Sequence, residues 1–133
     1  MIRNNKTKNV SAPAGKRDVD KAMLFEMQAD ICQALANPKR LQVLDLLKGG
    51  ELSVGEMMKA MGIQKANLSQ HLAVMRQKGI VSARREGTTV YYRLARPRIT
   101  EACAVMREVL MDGFRDQERL ARRVREGLGR KKP

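Results

Sequence analysis

The stretch from Gly62 to Leu94, GIQKANLSQHLAVMRQKGIVSARREGTTVYYRL, constrains this chain more than any other. Leu68, Leu72 and Met75 recur at i, i+4 and i+7, the spacing of one buried stripe on an α-helix. Asn67, Ser69, Gln70 and Ala73 fall on the opposite side, so the outer face is polar and built of small residues. Gly79 suits a helix stop. Ile80–Arg85 and Thr88–Leu94 are then two β-prone runs around Glu86-Gly87. A helix with a groove-shaped outer face, followed at once by a basic hairpin, is the arrangement to be explained.

Upstream, Ser53 and Glu56 form the S-x-x-E capping box, which predicts a helix over Val54–Met61. Gly62-Ile63-Gln64 is a three-residue break containing glycine. Before it, Asn37-Pro38 starts a short core helix carrying Leu41, Val43, Leu44 and Leu47, which ends at Gly49-Gly50. Asp18–Leu35 is a helix with two apolar faces, one of Met23, Met27, Ile31 and Ala34, the other of Phe25, Ala29 and Cys32. After Pro97 a long helix is predicted, with Ile99, Cys103, Met106, Leu110, Phe114 and Val124 among the residues on one side. Three helices before a hairpin is the order of a winged helix-turn-helix, mainly α with a small β-hairpin wing. The apolar stripe of the last helix is longer than a small wing domain needs for itself, and a partner helix would complete it.

Length and charge bound the function. At 133 residues the chain has room for one domain with tails. The reading is a disordered basic arm over 1–17, a DNA-binding and dimerisation domain over 18–118, and a basic, partly helical extension over 119–133. With 27 Lys+Arg against 14 Asp+Glu the formal net charge is +13, which favours a polyanionic partner. The charge is polarised: 59–98 holds nine basic and one acidic residue, whereas 18–58 holds four basic and seven acidic. No apolar run approaches the ~20 residues needed to span a membrane. Residues 1–17 lack the apolar core of a signal peptide. The expectation is a soluble, cytoplasmic, nucleoid-associated protein, with Cys32 and Cys103 in a reducing compartment.

The ordered combination of ALANPKRLQVLDLLKGGELSVGEM, LSQHL and RREGTTVYYRL resembles the ArsR/SmtB family of dimeric winged-helix repressors over roughly Ala29 to Leu94. The resemblance implies a homodimer held by its first and last helices. It also implies release from DNA by a metal, a metalloid, or reactive sulfur and oxidants. Where arsenic-type members carry a C-x-C pair, this chain has Ser53 and Gly55. The family's second site takes Asp and His from the last helix, but His71 is the single histidine here. No metal site and no cofactor are therefore expected, and Glu108, Asp112 and Asp116 read as surface partners of Arg115 or Arg119. SVGEM is similar to the sulfur-responsive branch, which places its first cysteine where this chain has Asp45.

For double-stranded DNA, Gln64, Lys65, Asn67, Ser69 and Gln70 lie in the first turns of the helix that stops at Gly79, the part that enters a major groove. Asn and Gln can pair bidentately with adenine, and Lys can reach guanine or phosphate. Arg84, Arg85, Thr88 and Thr89 at the wing suit minor-groove or phosphate contact. Any one Lys or Arg could equally be a solvated surface charge. His71 lies beside the buried stripe and reads as a packing or hydrogen-bonding residue. One of Tyr91 and Tyr92 should pack inward. Cys32 and Cys103 are either small buried hydrophobes or a thiol pair sensing reactive sulfur, oxidant or a soft metalloid.

No nucleophile, base and orienter set and no phosphate loop is present, which argues against an enzyme. The leading expectation is a homodimeric repressor on an inverted-repeat operator. A non-specific architectural DNA protein and a winged-helix protein-interaction module are the competing classes.

Overall fold

The computed structural model describes residues 14–130. Its elements run α1 (Ala14–Ala34), α2 (Pro38–Leu47), β1 (Leu52–Ser53), α3 (Val54–Met61), α4 (Lys65–Gln77), β2 (Val81–Glu86), β3 (Thr89–Leu94) and α5 (Ile99–Gly129). They divide into two units, one through Ala95 and one from Arg96 onward.

In the first unit the helix starts are fixed locally. The Asn37 side chain accepts hydrogen bonds from the Lys39 and Arg40 amides at 2.9 and 3.3 Å, with Pro38 in the first helical position of α2. Ser53 Oγ accepts from the Glu56 amide at 3.1 Å while Glu56 Oε1 accepts from the Ser53 amide at 3.0 Å, the full capping box of α3. Gly62 ends α3 at φ 64°, a left-handed conformation that costs a residue without Cβ nothing. The three-residue break Gly62-Ile63-Gln64 turns the chain into α4.

The buried apolar residues join these pieces. Val43, Leu44 and Leu47 of α2, Met57 of α3, and Leu68, Leu72 and Met75 of α4 are at most 2% exposed. Ile80 and Val81 close the core from the start of the wing. Each fully buried Leu or Met contributes roughly 1.5–3 kcal/mol by leaving water. Leu41 differs from expectation, because it lies on the exposed side of α2. At the far end of α4, Lys78 Nζ meets Asp30 of α1 at 2.8 Å, an exposed pair.

The wing is a three-stranded antiparallel sheet in the order β1-β3-β2. Val81 pairs with Leu94 and Glu86 with Thr89, which leaves Gly87-Thr88 as a two-residue turn. Gly87 has φ 61° and among the described residues no non-glycine has positive φ, the pattern of a type II′ hairpin with glycine first. The turn therefore sits one residue later than the Glu86-Gly87 expected from the sequence, and Ile80 precedes the strand. The third strand, β1, was not anticipated; its two residues pair Leu52 with Tyr92 and Ser53 with Tyr91.

One boundary also differs, at the start of the first helix. Helix α1 begins at Ala14, so residues 14–17 of the expected arm are helical. Ala14, Lys16 and Arg17 are good helix formers directly after a proline. The rest of that arm, residues 1–13, lies outside the described residues. In the second unit α5 runs unbroken over 31 residues, so the 119–133 extension is helical through Gly129. At about 1.5 Å per residue it spans roughly 46 Å. No residue of α5 is buried. No helix among the described residues is long and apolar enough to cross a membrane.

Candidate nucleic-acid interface

Helix α4 sets the site by having its two faces assigned without ambiguity. Leu68, Leu72 and Met75 anchor one side in the core, and Lys65, Asn67, Ser69, Gln70 and Ala73 are all exposed on the other. Gln64 stands at the N-cap of α4, and its side chain makes no capping bond. Gln64, Asn67 and Gln70 come together around one open depression, with Gly62, Ile63 and Ala66 forming the remainder of its wall. Amide side chains on the first two turns are the groups that can pair with the edge of adenine.

A second depression brings Lys65 of α4 beside Thr88 and Thr89 of the wing turn, against Ser53, Gly55 and Met58. One cation and two hydroxyls thus share a surface with the start of α3, the kind of donors that phosphate oxygens accept. Ser69 is exposed but lines neither depression.

The two wing arginines are placed differently. Successive side chains on a strand point to opposite faces, and Arg84 lies opposite Tyr91 while Arg85 lies opposite Val90. Arg84 Nη2 and Nε donate to the two oxygens of Glu51 at 2.6 and 3.3 Å, and Nη1 donates to Glu86 at 2.7 Å. Its guanidinium carbon stands 4.6 Å from the centre of the Tyr91 ring. These hydrogen bonds, Glu51 first, raise the Arg84 pKa, and the same bond holds the Glu51 carboxyl below its ordinary value. Among the described residues Arg85 has no carboxylate partner and is exposed.

Behind the reading helix, Arg40 Nε donates to His71 Nδ1 at 3.2 Å and Arg40 Nη1 donates to the Ala34 carbonyl at 3.0 Å. His71 therefore has the hydrogen-bonding role that its position suggested. An acceptor Nδ1 requires the neutral imidazole. Burial, then the charges of Arg40 and Lys39, lower its pKa.

Comparison with known proteins places this architecture. The sequence model described as bacterial regulatory protein, arsR family, matches residues 37–83. The uncharacterized HTH-type transcriptional regulator Rv0081 of Mycobacterium tuberculosis is 38% identical over 105 residues, 78% of this chain and 92% of the relative. The chain belongs to the ArsR family. The crystal structure of Rv0081 matches the fold with a TM-score of 0.64 at 40% identity, covering 71% of this chain and 95% of that one. A solution structure described as the homodimeric winged helix-turn-helix DNA-binding domain of Mb0332 from Mycobacterium bovis matches with a TM-score of 0.64 at 38% identity, covering 71% and 87%. The transcriptional repressor SdpR of Bacillus subtilis is 35% identical over 65 residues, 49% of this chain and 72% of the relative.

As an ArsR-family winged helix-turn-helix protein, the chain is a transcriptional regulator and not an enzyme. Its two cysteines are free thiols, Cys32 exposed on α1 and Cys103 partly exposed on α5. On α5, Arg115 pairs with Asp112 at 2.8 Å and Arg119 with Asp116 at 3.9 Å, the surface ion pairs anticipated for those carboxylates. Both tyrosines are partly buried, and Tyr91 supports Arg84. Sequence reasoning missed Glu51, Tyr91 and Arg40 as parts of this ArsR-family surface. The Arg84–Tyr91 pair follows from the hairpin register once the turn is placed at Gly87-Thr88, whereas no local pattern marks Glu51 or Arg40.

Proposed function

We propose that this ArsR-family regulator is a homodimeric repressor that reads an inverted-repeat operator, with α4 of each copy in successive major grooves. The carrying observation is the outer face of α4: Gln64, Asn67 and Gln70 line one open surface on a helix whose other side is locked into the core. Ser69 and Lys65 extend that face, and Arg85, Thr88 and Thr89 give the wing its groove and phosphate contacts. The place of action is the nucleoid.

The dimer is supported by where apolar surface is left. Of the exposed large hydrophobics among the described residues, all but Leu41 belong to α1 or α5, including Phe25, Met27, Met106, Leu110 and Phe114. Apolar patches of this extent on a single chain mark an association surface. The homodimeric state of the related Mycobacterium bovis domain agrees with a second copy as the occupant.

Operator binding in excess competitor DNA is the test. The parent should keep a preference of at least about a thousandfold for its own site. Asn67→Ala and Gln70→Ala should each lose about 1–3 kcal/mol of base discrimination. A parent without preference would be an architectural protein, and one that ignores DNA an interaction module. A reporter that falls when the operator is deleted would make the protein an activator. Release runs through the thiols in this proposal: oxidant or sulfane sulfur weakens operator binding of the parent but not of Cys32→Ser or Cys103→Ser. An equal response in all three proteins removes the thiol switch and leaves the repressor.

A further inference from the structure

We infer that Arg84 is a positioning residue rather than a DNA contact: it is a strap across the sheet that fixes how the wing presents Arg85, Thr88 and Thr89. The inference rests on the reading of the wing as a DNA-binding element.

The strand order makes the geometry informative. Arg84 is on β2 and Glu51 immediately precedes β1, while β3 runs between them. Tyr91 of β3 is the register partner of Arg84 on one side and of Ser53 on the other. To reach Glu51, the guanidinium must cross the middle strand, and it does so over the Tyr91 ring at 4.6 Å. There it makes a two-pronged contact with Glu51, at 2.6 and 3.3 Å, and a third bond back to Glu86 at the wing tip, at 2.7 Å. Backbone pairing of β1 with β3 extends over two residues only. The strap therefore adds a direct tie between the outer strands, which the backbone ladder does not join.

Charge argues the same way. Arg84 is held between two carboxylates, so a phosphate approaching it meets both acids, while the charge of Arg93, two residues along β3 from Tyr91, also acts on Glu51 and leaves the group of four without net charge. Arg85 points to the other face and has no such company among the described residues. The neighbouring arginines thus divide the work: Arg84 holds the wing and Arg85 is left for the polyanion. An isolated exposed ion pair stabilises little, but a bidentate arginine with a second carboxylate and a ring beneath it is a network with defined geometry.

The two roles predict opposite signs for one substitution. Glu51→Gln removes a negative charge from a DNA-facing protein; if Arg84 touched phosphate, this would free it and tighten binding. If Arg84 is a strap, Glu51→Gln loosens the wing and weakens operator binding by about threefold to tenfold. The measurement is operator titration by fluorescence anisotropy over a salt series, for parent, Glu51→Gln, Arg84→Gln and Arg85→Gln. It is paired with hydrogen exchange of residues 81–94 in the free proteins. The expected result is weaker binding by Glu51→Gln and Arg84→Gln with the parental salt slope, together with faster amide exchange in β2 and β3. Arg85→Gln should flatten the slope by about 1.8, one phosphate contact from each copy of the dimer. Tighter binding by Glu51→Gln, a slope change of that size in Arg84→Gln, or unchanged wing exchange in both strap variants overturns the inference. If the parent shows no operator preference, the reading of function fails, and the exchange measurement still decides whether the strap exists.

Discussion

The segment from Asn37 to Leu94 and the two helices that flank it follow opposite rules of burial. Of the buried hydrophobic core among the described residues, every residue but Ala34 lies from Val43 to Leu94. Of the exposed large hydrophobics among the described residues, every one but Leu41 lies in α1 or α5. The first region satisfies its apolar surface within one chain, and two of its three helix starts carry side-chain caps, at Asn37 and Ser53. The second has side chains as apolar as any in the core, and they are exposed. The difference separates what this protein needs in order to fold its reading head from what it needs in order to act.

The largest test of that contrast is to charge the uncovered surface. Met106→Glu with Leu110→Glu should turn the dimer into a monomer in sedimentation equilibrium. Operator affinity should fall on the order of 10²–10⁴-fold, because two linked half-site contacts become one. The far-UV circular dichroism of the winged segment should persist. A variant that remains dimeric would show that α5 is not the surface a second copy covers.

Cutting into the covered surface should act on folding instead. Leu68 has 0% exposure, and Leu68→Ala should cost about 2–5 kcal/mol in urea denaturation, the transfer loss plus the cavity left behind. Leu110→Ala, at 60% exposure in the single chain, should leave a monomer's stability nearly unchanged. Equal losses at the two positions would break the comparison.

The smallest effect sharpens the boundary between α2 and α4. Burial first, then Arg40 and Lys39, hold the His71 pKa below its ordinary 6.5. The unfolded imidazole takes up a proton near 6.5 while the folded one resists it. Stability from this group is therefore fully present above 6.5 and is lost as pH falls below it. Glu51 and Glu56, whose pKa values lie below the ordinary 4.5, add losses of the same sign at still lower pH. Urea midpoints at about pH 8 and about pH 5.5 should diverge more for the parent than for His71→Gln. Equal divergence would remove the Arg40–His71 hydrogen bond from the account of how α4 is held.

What the sequence made legible follows the same division. Val54–Met61, the break before α4 and the Leu68, Leu72, Met75 stripe could be read because caps, glycines and apolar spacing are local and agree with each other. The outward face of α4 followed from the inward one. Three features resisted. Strand β1 has only two residues, too few to show alternation, so Glu51 carried no sign of its partner across the sheet. The turn shifted by one residue because Glu86 can extend a strand as easily as begin a turn, and Gly87 is the residue whose positive φ the hairpin requires. Arg84 and Arg85 look alike in the sequence; which one is free is decided by strand parity and by the acids on one face, and both are tertiary facts.

The two-residue turn at Gly87-Thr88 sets the terms on which this wing can diversify. Because the ladder runs without a bulge from Val81–Leu94 to Glu86–Thr89, a one-residue insertion in either strand would slip the register and exchange the faces of every side chain beyond it. Arg84 would leave Glu51 and Arg85 would turn toward it. Relatives that recognise other operators through this element are therefore predicted to vary the residues equivalent to Arg85, Thr88 and Thr89 while keeping its length. The wing is a holder of fixed size with interchangeable tips.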